Sequence, residues 1–252
     1  MAGRFCAHCG EERVTDHSWA MSHFFHDVVH EFVHIDSKIA GTFWTLLRYP
    51  GLLTADYWRG RRTVWIRPLR LFIVIAAIHL LAVSNVQLRL EMFQEFDYSG
   101  VLTRNVGKLA AAHGMAAADV AAVVSARMGR IFAVAQYFSV ALFALAPMVL
   151  YRRRSPWYAQ HLIFSLHLYC FYFLFTSLTF QLLPVVSWVR APLLLVTVGY
   201  LFFMLRRLYG EPAGPALGKA LLLRVAHVVA ETAALGISLS GALFWTHYSL
   251  PR

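Results

Sequence analysis

Three groups of residues have the types and spacing that chemistry needs. Cys6 and Cys9 form a C-x-x-C pair. Thiolates at that spacing supply two of the four N or S ligands that a structural zinc takes. His8, His17 or His23 would extend the set, with His17 the preferred addition, so zinc is the candidate metal of a zinc-ribbon remnant. Open alternatives are a metal shared by two chains, a first C-x-x-C pair lost upstream of an incorrectly assigned start, and plain reduced thiols. Next, His30-Glu31-Phe32-Val33-His34 is a formal H-E-x-x-H match. That spacing sets two histidines on one helical face around zinc, with the glutamate as general base of a metallopeptidase. The surroundings are already rich in histidine and indicate no third ligand, so a non-catalytic histidine stripe or a solvated polar face competes with the protease reading. Third, Arg224, His227 and Glu231 recur at intervals of three and four in an otherwise apolar run. An acid at bilayer depth costs several kcal/mol unless paired or wetted, which makes it a candidate for a proton or ion pathway. An interhelical packing hydrogen bond would satisfy the same cost.

A fourth group is purely electrostatic. Arg59, Arg61, Arg62, Arg67 and Arg70 immediately precede a long apolar run. Anionic headgroups would reward each such charge by about 1 kcal/mol, so membrane lipids are the expected partner. The plainer account is that these arginines only set topology.

The elements that carry these groups follow from composition. The chain has 252 residues, of which 59% are hydrophobic and 14% charged; soluble proteins run near a quarter charged. A formal charge of +10 comes from basic residues placed between apolar runs, without the continuous stripe that nucleic acid requires, so nucleic acid is excluded as a partner. A spanning helix needs roughly 20 apolar residues. The uncharged runs predict an all-α, polytopic transmembrane bundle of about five spans, at 69–88, 131–151, 158–183, 185–205 and 220–247. Residues 89–130 read as an extracytoplasmic loop, helical in its Ala-rich half. Residues 1–17 form the cytosolic zinc-ribbon-like remnant, and 18–68 the amphipathic and basic juxtamembrane helices. Lys and Arg are retained on the cytosolic side. An inward amino terminus puts sixteen of the 23 basic residues inside and seven outside, leaving the carboxyl terminus extracytoplasmic. No apolar core of a signal peptide occurs in the first twenty residues, so the amino terminus is expected to be uncleaved.

The segment before the first span is the most informative. On a helical wheel of about 100° per residue, Phe25, Val28, Phe32, Ile35, Ile39, Phe43 and Leu46 share one face. His23, His26, Asp27, His30 and His34 share the other. Such a helix lies in the membrane interface or packs against the bundle. The turn Arg48-Tyr49-Pro50-Gly51 ends it, since proline disfavours a helical residue before it and glycine accepts positive φ. A short helix from Thr54 to Gly60 follows.

Those residues carry a resemblance. The order Cys6-x-x-Cys9-Gly10, His30-Glu31, Asp36, Thr42, Pro50-Gly51, Tyr57, Gly60-Arg61-Arg62 and Pro68 is similar to the bacterial membrane family labelled domain of unknown function 3667. The resemblance covers Phe5 to Leu81 and implies a multi-pass protein of the bacterial cytoplasmic (inner) membrane; it implies no activity. Members often begin with two C-x-x-C pairs, and only one stands here. The sequence therefore favours a non-enzymatic scaffold or accessory protein, binding membrane lipids and a second copy or a membrane-protein partner. A proton-coupled or small-solute transporter using Glu231 and His227 is the alternative, and a metallopeptidase using His30, Glu31 and His34 the second alternative.

Overall fold

The computed structural model describes residues 38–84, 100–182 and 190–250. Every regular element among them is a helix: α1 Ile39–Arg48, α2 Leu52–Trp58, α3 Pro68–Ser84, α4 Val101–His113, α5 Ala117–Phe143, α6 Leu145–Tyr151, α7 Tyr158–Leu182, α8 Arg190–Tyr209 and α9 Ala213–Ser249. The described residues divide into two compact units, one within 38–79 and 140–228 and the other within 80–139 and 229–250.

In the first unit α7 is the centre. Its apolar residues run around the whole circumference, the pattern of a buried helix. In the most apolar 18-residue window of Tyr158–Leu178, 72% of residues are buried, against 28% in that of Ala213–Ser249. The latter presents Leu221, Leu222, Val225, Val229, Ile237 and Phe244 outward, the face that lipid would cover. Helices α1, α2, α6 and α8 pack on α7.

Pro50-Gly51 makes the turn between α1 and α2. Gly51 has φ +77°, and a Cβ there would lie 3.1 Å from the Met204 backbone in α8. Backbone conformation and close approach both require glycine. The Tyr200 hydroxyl donates to the Leu46 carbonyl at 2.9 Å, and Arg207 donates to the Pro50 carbonyl at 2.9 Å. Helix α2 buries Leu53, Thr54, Ala55, Asp56 and Tyr57, with Thr54 Oγ1 2.8 Å from His167 Nδ1. It is embedded in the unit and not laid on its surface.

The inward face of α1 differs from the one the helical wheel selects. Leu46 is buried as expected, but its companions inside are Thr42 and Thr45, while Ile39 is exposed. On that inward face Thr42 Oγ1 donates to the Lys38 carbonyl at 2.8 Å and accepts the Ile66 amide at 3.3 Å, so the buried hydroxyl is satisfied. The rest of the amphipathic segment, residues 18–37, lies outside the described residues.

A break separates α5 from α6 at Ala144. Pro147 lacks the amide that would bond the Phe143 carbonyl, and its ring crowds that carbonyl.

The second unit buries Leu102, Val106, Leu109 and Ala110 of α4 against Val120, Val124 and Met128 of α5 and Ala242 of α9. Helix α5 runs without interruption through the boundary expected between the outer loop and the second span. Arg127 and Arg130 therefore sit within a helix, over the Trp245 ring at 5.0 and 6.0 Å.

Three helical stretches, Ala117–Tyr151, Tyr158–Leu178 and Ala213–Ser249, are long and apolar enough to cross a membrane, and Pro68–Ala82 is apolar but shorter. The other two expected spans, 69–88 and 185–205, each run partly outside the described residues. Ala213–Ser249 has 37 residues, about 55 Å of helix at 1.5 Å per residue, well beyond a hydrocarbon core of about 30 Å.

Candidate functional site: a basic pocket at the start of α3

The residues between α2 and α3 are shaped by one buried acid. Gly60, at φ +88°, reverses the chain after α2, and its amide donates to the Tyr57 carbonyl at 3.1 Å. The Arg61 amide then returns to the Asp56 carbonyl at 2.9 Å. The Asp56 side chain, 2% exposed, accepts Trp65 Nε1 at 2.8 Å and Arg61 Nη1 at 3.2 Å. A carboxylate taking two donors from residues four apart clamps the loop between them.

While Arg61 is drawn back to Asp56, the guanidinium of its neighbour Arg62 stands 4.9 Å from the Tyr57 ring centre. Lys38, at the start of α1, reaches across to donate to the Thr63 carbonyl at 2.5 Å. Lys38, Arg62, Arg67 and Arg70 thus converge on one cavity of about 100 Å³, walled by Thr63, Trp65 and Ile66. Guanidinium groups can match phosphate oxygens two at a time, and each of these four side chains also has interactions elsewhere within the protein.

The five arginines singled out in the sequence therefore separate into three roles. Arg62, Arg67 and Arg70 line the pocket. Arg61 is the partner of Asp56. Arg59 is exposed and does not line the pocket. Sequence reasoning missed Lys38 as a member and Asp56 as the organiser. The only available signal was an acid five residues before an arginine at the end of a short helix.

The intramembrane group also separates. His227 is fully buried and packs among the rings of Phe143, Tyr169 and Tyr172, at 5.6, 4.8 and 4.6 Å. Arg224 is half-buried on the same helix. In the second unit, Glu231 accepts Gln136 Nε2 at 3.2 Å, and the Ser139 hydroxyl lies between the Gln136 carbonyl at 2.7 Å and the Glu231 carboxylate at 3.0 Å. The other buried histidines have local partners in the first unit: His79 Nδ1 is 2.8 Å from Ser177 Oγ, and His161 Nε2 is 2.8 Å from the Ser155 carbonyl.

A further ionic cluster was not anticipated. Glu211, in the turn between α8 and α9, is buried. It pairs with Lys219, accepts the Tyr151 hydroxyl at 3.1 Å, and has Arg154 Nη1 at 3.8 Å. Tyr151 stacks on Tyr209 with ring centres 3.6 Å apart. The cluster ties α6 to the α8–α9 turn.

Cys6, Cys9 and His17, and the triplet His30, Glu31 and His34, lie outside the described residues. Among the described residues, no group of three or more His, Cys, Asp or Glu side chains is placed to hold a metal ion.

Residues 36–80 match a family model described as Protein of unknown function (DUF3667). The match is under a fifth of the chain, yet it contains the Pro50-Gly51 turn, Asp56, Gly60 and all four pocket cations. It begins after Cys6, Cys9 and the histidine-rich stretch that the sequence resemblance had included. No curated protein and no solved structure matches the chain. The part of this protein that is similar to a known family is thus the part that builds the basic pocket.

Proposed function

We propose that the chain is a non-enzymatic accessory protein of the bacterial cytoplasmic membrane, which uses its basic pocket to hold anionic lipid headgroups at the membrane surface. The observation that supports this reading is the convergence of Lys38, Arg62, Arg67 and Arg70 on one cavity. The chain crosses the membrane about five times, with its amino terminus in the cytosol and its carboxyl terminus outside. This puts the pocket on the leaflet whose acidic lipids attract basic segments. In this reading Cys6, Cys9 and His17 form a zinc-capable head ahead of the pocket.

The test is lipid retention by the full-length protein. Protein purified from mixed micelles of phosphatidylglycerol and phosphatidylcholine is expected to carry phosphatidylglycerol in excess, and the variant R62Q/R67Q/R70Q to lose that excess. Equal retention of both lipids by the native protein would sink the reading.

A second reading rests on Glu231. Gln136 Nε2 donates to its carboxylate at 3.2 Å, the kind of contact with which a proton-coupled or small-solute transporter would hold an intramembrane acid. Loss of solute flux in a folded Glu231→Gln variant would favour it. The metallopeptidase alternative predicts that Glu31→Gln abolishes a proteolytic phenotype, and an unchanged phenotype removes it.

A further inference from the structure

We infer that Glu231 is a reversible proton-binding site, with the Ser139 hydroxyl as a two-position switch that meets both the protonated and the ionised carboxyl. The inference deepens the second reading above by naming what the intramembrane acid takes up, and it stands whether or not a solute moves.

Its basis is a count of protons. Ser139 Oγ is 2.7 Å from the Gln136 carbonyl and 3.0 Å from Glu231 Oε1. A hydroxyl has one proton to give, and it can also accept. A carbonyl only accepts. With the Ser139 proton on Gln136, the contact to Glu231 is a hydrogen bond only when the carboxyl oxygen carries its own proton and donates it. With the Ser139 proton turned to Glu231, the acid is a carboxylate. One rotation of the hydroxyl separates the two states.

The distances choose between them. A hydroxyl that donates to a carboxylate contracts to about 2.5–2.7 Å. Here the shorter contact is the one to the backbone carbonyl, a bond that serine makes readily within a helix, and the contact to Glu231 is the longer. Gln136 Nε2 stands 3.2 Å from Glu231 Oε2, at the long end of the roughly 2.7–3.2 Å range for N–H···O bonds. Both contacts have the length of bonds to a neutral group. This conformation therefore holds the acid form: Oε1 gives its proton to Ser139, and Oε2 takes the Gln136 amide. A neutral acid also enters hydrocarbon at far lower cost than a carboxylate.

Gln136 and Ser139 are both buried, at 8% and 3% exposed, so the carboxyl meets fixed partners in either state. On release the Oε1 proton passes to water, and the Ser139 hydroxyl turns from the Gln136 carbonyl to Oε1. Uptake reverses both movements, and the Ser139 proton never leaves its oxygen.

Other titratable and charged groups lie on the same elements. On α5, Arg127 and Arg130 stand over the Trp245 ring, and Tyr137 follows Gln136. On α9, Arg224 and His227 precede Glu231 by seven and four residues. Helix α4, which carries Arg104, Lys108 and His113, packs with Ala242 of α9, about 16 Å along the helix from Glu231. Glu231→Gln removes the carboxyl and none of these, so a response lost in that variant belongs to Glu231.

The experiment is infrared difference spectroscopy on full-length protein in lipid nanodiscs, since a protonated carboxyl and a carboxylate absorb at different frequencies. Subtracting the Glu231→Gln spectrum from the native one at neutral pH should leave the C=O band of one protonated carboxyl, sensitive to deuterium exchange. At alkaline pH that band should give way, reversibly, to the two bands of a carboxylate. Carboxylate bands already present at neutral pH, or a C=O band that ignores pH, would overturn the inference. Should Glu231→Gln fold poorly, Ser139→Ala isolates the same carboxyl. It removes the acceptor of the Glu231 proton and should raise the frequency of the C=O band; an unmoved band would overturn the switch. The protonated band without any solute flux supports the proton site and removes transport. Flux from a protein whose Glu231 shows carboxylate bands alone overturns the proton site and leaves transport standing.

Discussion

Replacing Gly51 by alanine tests how the turn between α1 and α2 holds the pocket in place. Two costs add. Alanine in the left-handed region costs about 1–2 kcal/mol. The new Cβ would also stand 3.1 Å from the Cα and Cγ of Met204. Met204 is fully buried, so its backbone must shift, and overpacking of this kind costs about 1–3 kcal/mol. Against these, alanine restricts the unfolded chain by about 0.4–1 kcal/mol in favour of folding. The net is a destabilisation of about 2–4 kcal/mol. Gly210 is the internal control. Its φ is +63°, and nothing lies within 4 Å of a Cβ built there, so Gly210→Ala carries only the backbone cost of about 1 kcal/mol. Thermal unfolding of the full-length protein in detergent should therefore place Gly51→Ala lower than Gly210→Ala by roughly 5 °C, taking about 2–4 °C per kcal/mol for a chain of this size. Because α2 carries Asp56, the same displacement should loosen the loop that presents Arg62 and lower anionic lipid retention. Equal midpoints for the two variants would refute the close approach to Met204. A lowered midpoint with undiminished lipid retention would refute the coupling between turn and pocket.

Asp56→Asn should cost about 1–2 kcal/mol, because the buried group keeps one acceptor for Trp65 but loses the charge that Arg61 meets. Arg61 is 55% exposed, which discounts the ion pair itself; a larger effect on lipid retention than on unfolding is expected, and the reverse would deny Asp56 its role as organiser. Glu211→Ala strips Lys219 and the Tyr151 hydroxyl of a buried partner and should cost about 2–3 kcal/mol in denaturant or thermal unfolding. A neutral result would mean that water replaces the carboxylate. Ser139→Ala removes a hydroxyl shared between the Gln136 carbonyl and Glu231 and should cost about 1 kcal/mol; a flux assay before and after separates packing from transport. Zinc measured on purified full-length protein should fall when Cys6 and Cys9 are changed to serine, and metal absent from the native protein would remove the zinc-ribbon expectation.

Helicity, the apolar runs and the turn at Pro50-Gly51 were legible in the sequence because each is a local property. Hydropathy sums over neighbours, and proline and glycine act on their own backbone. The presence of a basic cluster before the first apolar helix was equally legible. Which of its members act together was not. Arg61 and Arg62 are adjacent and chemically identical, yet one is spent on Asp56 while the other enters the pocket; the chain reversal at Gly60 decides between them. Lys38 joins from 25 residues before Thr63, and Lys219 reaches Glu211 only because α9 turns back after Gly210. The inward face of α1 escaped the helical wheel because a wheel counts apolar surface alone, whereas Thr42 on that face takes the Ile66 amide from 24 residues away. Residue type and order thus determined which charges and apolar runs exist. Only tertiary structure decided which charges converge, because convergence depends on how helices distant in sequence dock.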